Sequence, residues 1–145
     1  MIRPLVALLA LLTALPVAWL PGAAQANPAG TDPRGGDLRG LWRNPDGSVL
    51  VRIDPCGTEV CGTVVGATTE AQNDARDGGY PRLIGLRILY GYHATSARHW
   101  VGRVLVPDLG HVFSSHIDLV DPDHARIAGC LFHQHLCQTQ LWHRA

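Results

Sequence analysis

Histidine is abundant in this chain, with eight in 145 residues, and spacing decides what those rings can do. His133 and His135 stand i, i+2 in "FHQHLC", so an extended segment projects both from one face, as a metal site requires. His116 and His143 are the candidates for a third ligand from neighbouring strands. No acid or thiolate is fixed beside the pair. They are therefore weak metal candidates, better read as exposed residues at a hairpin tip between Cys130 and Cys137, and neither a cofactor nor a resident metal is expected. "FSSHID" holds the residue types of a hydrolytic triad in Ser115, His116 and Asp118. Adjacent strand residues point to opposite faces, so Ser115 and His116 diverge, and the G-x-S-x-G elbow is absent. Asp121 and Asp123 flank a proline and read as turn formers. All twelve basic residues are arginine, which excludes lysine Schiff-base chemistry and a P-loop lysine. No catalytic residue is assigned.

The cysteines are spaced C-x4-C (Cys56, Cys61) and C-x6-C (Cys130, Cys137), neither of them the C-x-x-C of redox sites and most zinc knuckles. Their reading depends on the compartment. "MIRPLVALLALLTALPVAWLPGAAQA" has one early cation, Arg3, then an apolar run broken by Pro16 and Pro21, then an A-x-A ending. This is the three-part pattern of a secretory signal peptide over residues 1–26, too short and interrupted for a membrane span. No cysteine sits near the cleavage site, and no second apolar run of membrane length follows. The expectation is an exported protein, periplasmic or extracellular, not a lipoprotein and not inserted in the membrane after cleavage. In an oxidising compartment an even cysteine count is read as disulfides. The local pairs Cys56–Cys61 and Cys130–Cys137 are favoured, each worth about 2 kcal/mol because the loops are small. A four-thiolate zinc site is the alternative.

The elements that must carry these residues are strands. Net charge is zero, so there is no electrostatic footprint for nucleic acid. Sixteen glycines and ten prolines argue against a helical bundle. "SVLVRI" sets Val49, Val51 and Ile53 against Leu50 and Arg52. "HWVGRVLVP" sets Trp100, Val104 and Val106 against Val101, Arg103 and Leu105. "HVFSSHIDLV" sets Phe113, Ile117 and Leu119 against Ser114, His116 and Asp118. Turn signals such as Asn44-Pro45-Asp46-Gly47 and Asp121-Pro122-Asp123 separate the runs. The pattern describes an all-β antiparallel meander of about eight strands, which tends to close because closure removes unpaired edges. Residues 27–37 read as a flexible tail and 38–145 as one barrel domain. "TTEAQNDARDGGYP" reads as a long surface loop with room for one helical turn.

"LRGLWRNPDGSVLVRIDPCGTEVCGTVVG", "PRLIGLRILYGY", "WVGRVLVPDLGHVF" and "ARIAGCLFHQHLCQTQLWHR" together resemble an uncharacterised family of exported bacterial proteins, known as a domain of unknown function. The resemblance covers nearly everything from Leu38 onward and implies a lipocalin-like, up-and-down β-barrel. It assigns no activity. Gly40-Leu41-Trp42 is also similar to the G-x-W that begins the first strand of lipocalins, where the tryptophan plugs the closed end under an arginine. That likeness makes Trp42 the plug and Arg144 its partner, with Arg126 as the alternative. The middle hairpin departs from the family: its usual polar pair is Leu105 and Val106 here, and its second tyrosine is Phe113. The interior is correspondingly more apolar.

Two functions are expected from such a chain. The first is an exported carrier of a small apolar or amphipathic ligand, with a cavity lined by Trp100, Val104, Val106, Phe113, Tyr90 and Tyr92. Arg87 or Arg103 would meet a polar head. The second is a non-enzymatic envelope interaction module with a filled barrel.

Overall fold

Alternation of apolar and polar residues is realised as strands along most of the chain. The computed structural model describes Thr31–Asp32 and residues 36–132 and 135–145. The expected signal peptide lies outside the described residues. A short antiparallel pair, β1 (Thr31–Asp32) and β2 (Gly36–Asp37), comes first. Eight strands then follow: β3 (Gly40–Arg43), β4 (Val49–Cys56), β5 (Glu59–Ala67), β6 (Arg87–Ser96), β7 (His99–Val106), β8 (His111–Asp121), β9 (His124–Cys130) and β10 (Cys137–Arg144). Each pairs antiparallel with the next, and β10 returns to β3, closing a barrel. An up-and-down barrel of eight strands is consistent with a lipocalin-like fold.

Two stretches differ from the reading of the sequence. Residues 36 and 37 are not loose tail, because Arg144 donates to the Asp37 carbonyl oxygen at 2.7 Å and ties them to the barrel. The stretch after β5 is a helix, α1 (Thr69–Asp77), longer than one turn. Thr68 caps it by accepting from the Ala71 N–H at 3.2 Å, and Glu70 and Arg76 suit the helix dipole at its two ends. Ala75 is its buried residue. The polar surface of α1 hid this single-residue apolar contact from periodicity.

The barrel is filled at one end only. Towards the end formed by residues 97–98 and 122–123, Trp42, Trp100, Tyr92 and Ile117 are almost wholly buried. Glycines make room for the largest of them. A Cβ on Gly102 would lie 2.7 Å from the Tyr92 ring, and one on Gly62 would lie 2.6 Å from Leu89. At the opposite end lie the 44–48 turn, α1, a 3-10 turn η1 (Pro107–Leu109) and the described ends of the β9–β10 loop, residues 131–132 and 135–136.

Closure is narrow. β10 pairs with β9 from Cys137 to His143, but with β3 only through His143↔Arg43 and Arg144↔Trp42. The Arg144 side chain reinforces this seam. Its guanidinium lies 4.3 Å from the Trp42 ring centroid and donates to the carbonyl oxygens of Arg39 (2.8 Å), Asp37 (2.7 Å) and Pro122 (2.7 Å). The Trp42 indole N–H donates to the Leu38 carbonyl oxygen at 2.8 Å. Burial alone would raise the Asp37 carboxyl, but hydrogen bonds from the Arg39 side chain and backbone, with the charge of Arg144, hold it below the usual carboxylate value. Arg144→Ala removes the cation–π contact and three charge-assisted hydrogen bonds. It should lower stability by about 2–4 kcal/mol in urea unfolding, and Arg144→Lys should recover less than half of that.

Candidate functional site: an apolar cavity in the open half of the barrel

Above the filled half, inward positions of six strands turn towards empty space. On β7 the parity that buries Trp100 continues to Val104 and Val106, and on β8 the parity of Ser115 and Ile117 continues to Phe113. Val49 of β4, Ile88 of β6, Ile127 and Gly129 of β9, and Gln138, Gln140 and Trp142 of β10 complete the wall. The cavity holds about 460 Å³. Gly129 contributes volume by what it lacks, since a Cβ there would lie 3.3 Å from Val104. In the filled half, outside the cavity lining, is a buried polar pair: the Tyr92 hydroxyl donates to Ser115 Oγ at 2.6 Å, and Ser115 Oγ donates to the Ala128 carbonyl oxygen at 2.6 Å.

The rim is apolar and exposed. Leu109 on η1 and Leu131 and Leu136 on the β9–β10 loop line the opening while being 66%, 52% and 70% exposed. The cavity also reaches the seam. Above Trp142, β10 has no strand partner on its β3 side, and Asn44, Val49, Gln138 and Gln140 surround the gap. Gln140 accepts from the Trp142 indole N–H at 2.9 Å, which orients its amide. Among the described lining residues Asp108 is the only charged one, and there is no cation.

The sequence-derived lining is divided by this geometry. Val104, Val106 and Phe113 line the cavity. Trp100 and Tyr92 lie deeper, packed into the filled half, and Tyr90 pairs with Arg103 on the outer face. The cause is Gly91, whose left-handed φ of 60° breaks the β6–β7 register, so Tyr90 and Tyr92 do not share a face despite their i, i+2 spacing. Arg87 and Arg103 are exposed on the outside and do not touch the cavity. The glutamines and Trp142 of β10 were missed. The signal was present, because Gln138, Gln140 and Trp142 share one parity in "CQTQLW".

Both favoured disulfides are present, Cys56–Cys61 at the filled end and Cys130–Cys137 at the base of the rim loop. The four-thiolate zinc alternative is thereby excluded. His133 lies outside the described residues, and His135 is exposed. His143 packs edge-on against His124 with ring centroids 5.0 Å apart, whereas His116 lies beside the Cys130–Cys137 bridge. Ser115 points inward and His116 outward, so no triad forms. At the filled end a cleft of about 490 Å³ is lined by Arg39, Arg98 and Arg144, but all three side chains are engaged by backbone carbonyls or by Asp37.

Residues 40–144 match the family model described as an uncharacterised protein conserved in bacteria, DUF2147. The chain belongs to this family. The match begins at the glycine of Gly40-Leu41-Trp42 and ends at Arg144, and so spans the whole barrel from β3 to β10. Comparison with curated proteins and with solved structures found no match to either.

The buried Tyr92–Ser115 pair gives a pH-dependent test. Burial pushes the Tyr92 phenol well above its ordinary value of 10.0, against a smaller opposing effect of the Ser115 hydrogen bond. A raised folded value means that this contribution to stability is complete below about pH 10 and is lost as the pH rises beyond it. Urea unfolding at pH 8 and pH 11 should therefore show an alkaline loss of stability that Tyr92→Phe diminishes. At pH 8 the same substitution should cost about 1 kcal/mol, since Ser115 keeps its bond to Ala128.

Proposed function

We propose that this DUF2147 protein is an exported binding protein for a small apolar or amphipathic molecule, held in the open half of the barrel. One observation carries the reading. A cavity of about 460 Å³ falls within the size of small-ligand sites, and its described walls are apolar apart from Asn44, Gln138, Gln140 and Asp108. Two disulfides and the signal-like N-terminus support an exported location, periplasmic or extracellular.

The lining also narrows the ligand. The arginines expected to meet a polar head, Arg87 and Arg103, lie outside, so an anion entering the cavity would lose its hydration without a cation to replace it. Side-chain amides instead favour an uncharged polar end that donates and accepts hydrogen bonds. The ligand is an aliphatic or ring-bearing molecule with a neutral head, entering past the leucine rim.

The interaction-module reading draws on a different feature, the unpaired edge of β10 above the seam. Its filled barrel is not what the volume supports. The carrier reading is tested with N-phenyl-1-naphthylamine, a neutral apolar fluorophore, on protein purified without detergent. Saturable enhancement is expected, with an affinity at least tenfold lower in Val106→Trp, whose ring would occupy the cavity. A neutral alkyl ester should compete better than the corresponding carboxylate. Equal binding by wild type and Val106→Trp would overturn the assignment of the site.

A further inference from the structure

A second cluster of reactive groups lies on the outer face of β8, β9 and β10, independent of the cavity. His116, Cys130 and Cys137 each offer a ligand atom, and the three atoms lie within 4.8 Å of one another. His116 Nδ1 is 4.0 Å from Cys130 Sγ. On the other side of the ring, Nε2 lies 3.8 Å from Asp118 Oδ2, and Asp118 Oδ1 is 2.6 Å from His99 Nδ1. A carboxylate thus stands behind the imidazole while a sulfur pair stands in front of it. That order matches the one at protein metal sites, where a carboxylate behind the far nitrogen leaves the near one to the metal; at 3.8 Å the Asp118 oxygen acts on the ring through its charge and comes into hydrogen-bond reach only as the ring turns. In the disulfide the sulfurs carry no charge, and the lone pair has nothing to ligate.

We infer that reduction of the Cys130–Cys137 disulfide opens a zinc site made of Cys130 Sγ, Cys137 Sγ and His116 Nδ1. A dithiol reductant supplies the two electrons and two protons. The S–S bond breaks, each cysteine leaves as a thiol, and the dithiol becomes a disulfide. Zn²⁺ then displaces one proton from each thiol to solvent, and water fills the fourth tetrahedral position. Zinc–sulfur bonds of about 2.3 Å and a zinc–nitrogen bond of about 2.0 Å place ligand atoms roughly 3.5–4 Å apart. The two sulfurs, 2.00 Å apart in the bridge, must separate by about 1.8 Å, and the longest sulfur–nitrogen distance must shorten by about 1.3 Å at most, both by side-chain rotation once the bridge is open. Register assists, because Cys130 and Cys137 are directly opposed on paired strands and stay together without the covalent bond. His99 holds one oxygen of Asp118, leaving the other to orient His116. The bridge closes the rim loop as a covalent clip in one redox state and as a metal clip in the other.

The test uses the full chain, oxidised and dithiol-reduced, with Zn²⁺ in calorimetry and Co²⁺ as the spectroscopic probe. Reduced protein should bind one equivalent with a thiolate-to-cobalt charge-transfer band, and oxidised protein should show none. His116→Ala should lower affinity at least tenfold. Asp118→Asn, which spares every ligand, should lower it about ten- to hundredfold. Cys56→Ser with Cys61→Ser should leave the site intact, with circular dichroism confirming the strand content of each variant. Equal binding by the oxidised chain, affinity unchanged in both His116→Ala and Asp118→Asn, or a band that follows Cys56 and Cys61 would each overturn the inference. So would a reduced chain that does not fold with Zn²⁺ present.

Discussion

Everything in this barrel depends on one cation lying over one indole. Arg144 covers Trp42 at 4.3 Å and donates to three carbonyl oxygens from two separate segments, 37–39 and 122. A barrel needs every strand edge satisfied, and the β10–β3 seam has only two residue pairs with which to do it. The guanidinium adds what the short ladder lacks: three donors in fixed directions and a charge that gains from the ring face. Gly40 permits this packing, since a Cβ there would approach Arg144 Nη1 to 2.9 Å. The filled half is anchored from this corner.

The brevity of the seam also shapes the open half. Had β3 continued as far as β10 does, the wall beside Gln138 and Gln140 would be sealed by a strand. Because it stops at Arg43, the upper interior meets solvent at the side as well as the top. Closure at one end and access at the other therefore have a single geometric origin. The disulfides follow the same division, with Cys56–Cys61 across a hairpin of the filled end and Cys130–Cys137 at the root of the rim loop.

The fold was legible in the sequence because period-2 alternation reports strands directly, and the faces of β4, β7 and β8 follow from it residue by residue. The cysteine pairing was legible for a related reason: each pair brackets a turn between two strand-like runs. The site was only partly legible. Parity distinguishes inside from outside but not depth along the barrel, so Trp100 and Val104 looked equivalent although one is core and the other cavity wall. Tyr90 was misplaced by a bulge at Gly91, a one-residue slip that exchanges faces. α1 was underestimated because it contributes a single buried alanine. Side-chain relations between distant segments, such as His116 with the Cys130–Cys137 bridge, exist only once register is known.

The topology also fixes an order of assembly. Strands β3 to β9 meet their neighbours in sequence, through short connections except for the 68–86 segment that carries α1. The last contact, Arg144 with the 37–39 segment, joins residues more than 100 positions apart. Until β10 emerges from whatever channel delivers the chain, β3 and β9 both present open edges and Trp42 lies uncovered. A chain that has not yet supplied its last strand is therefore an unclosed sheet. How long the open edges persist is set by how soon the final strand arrives.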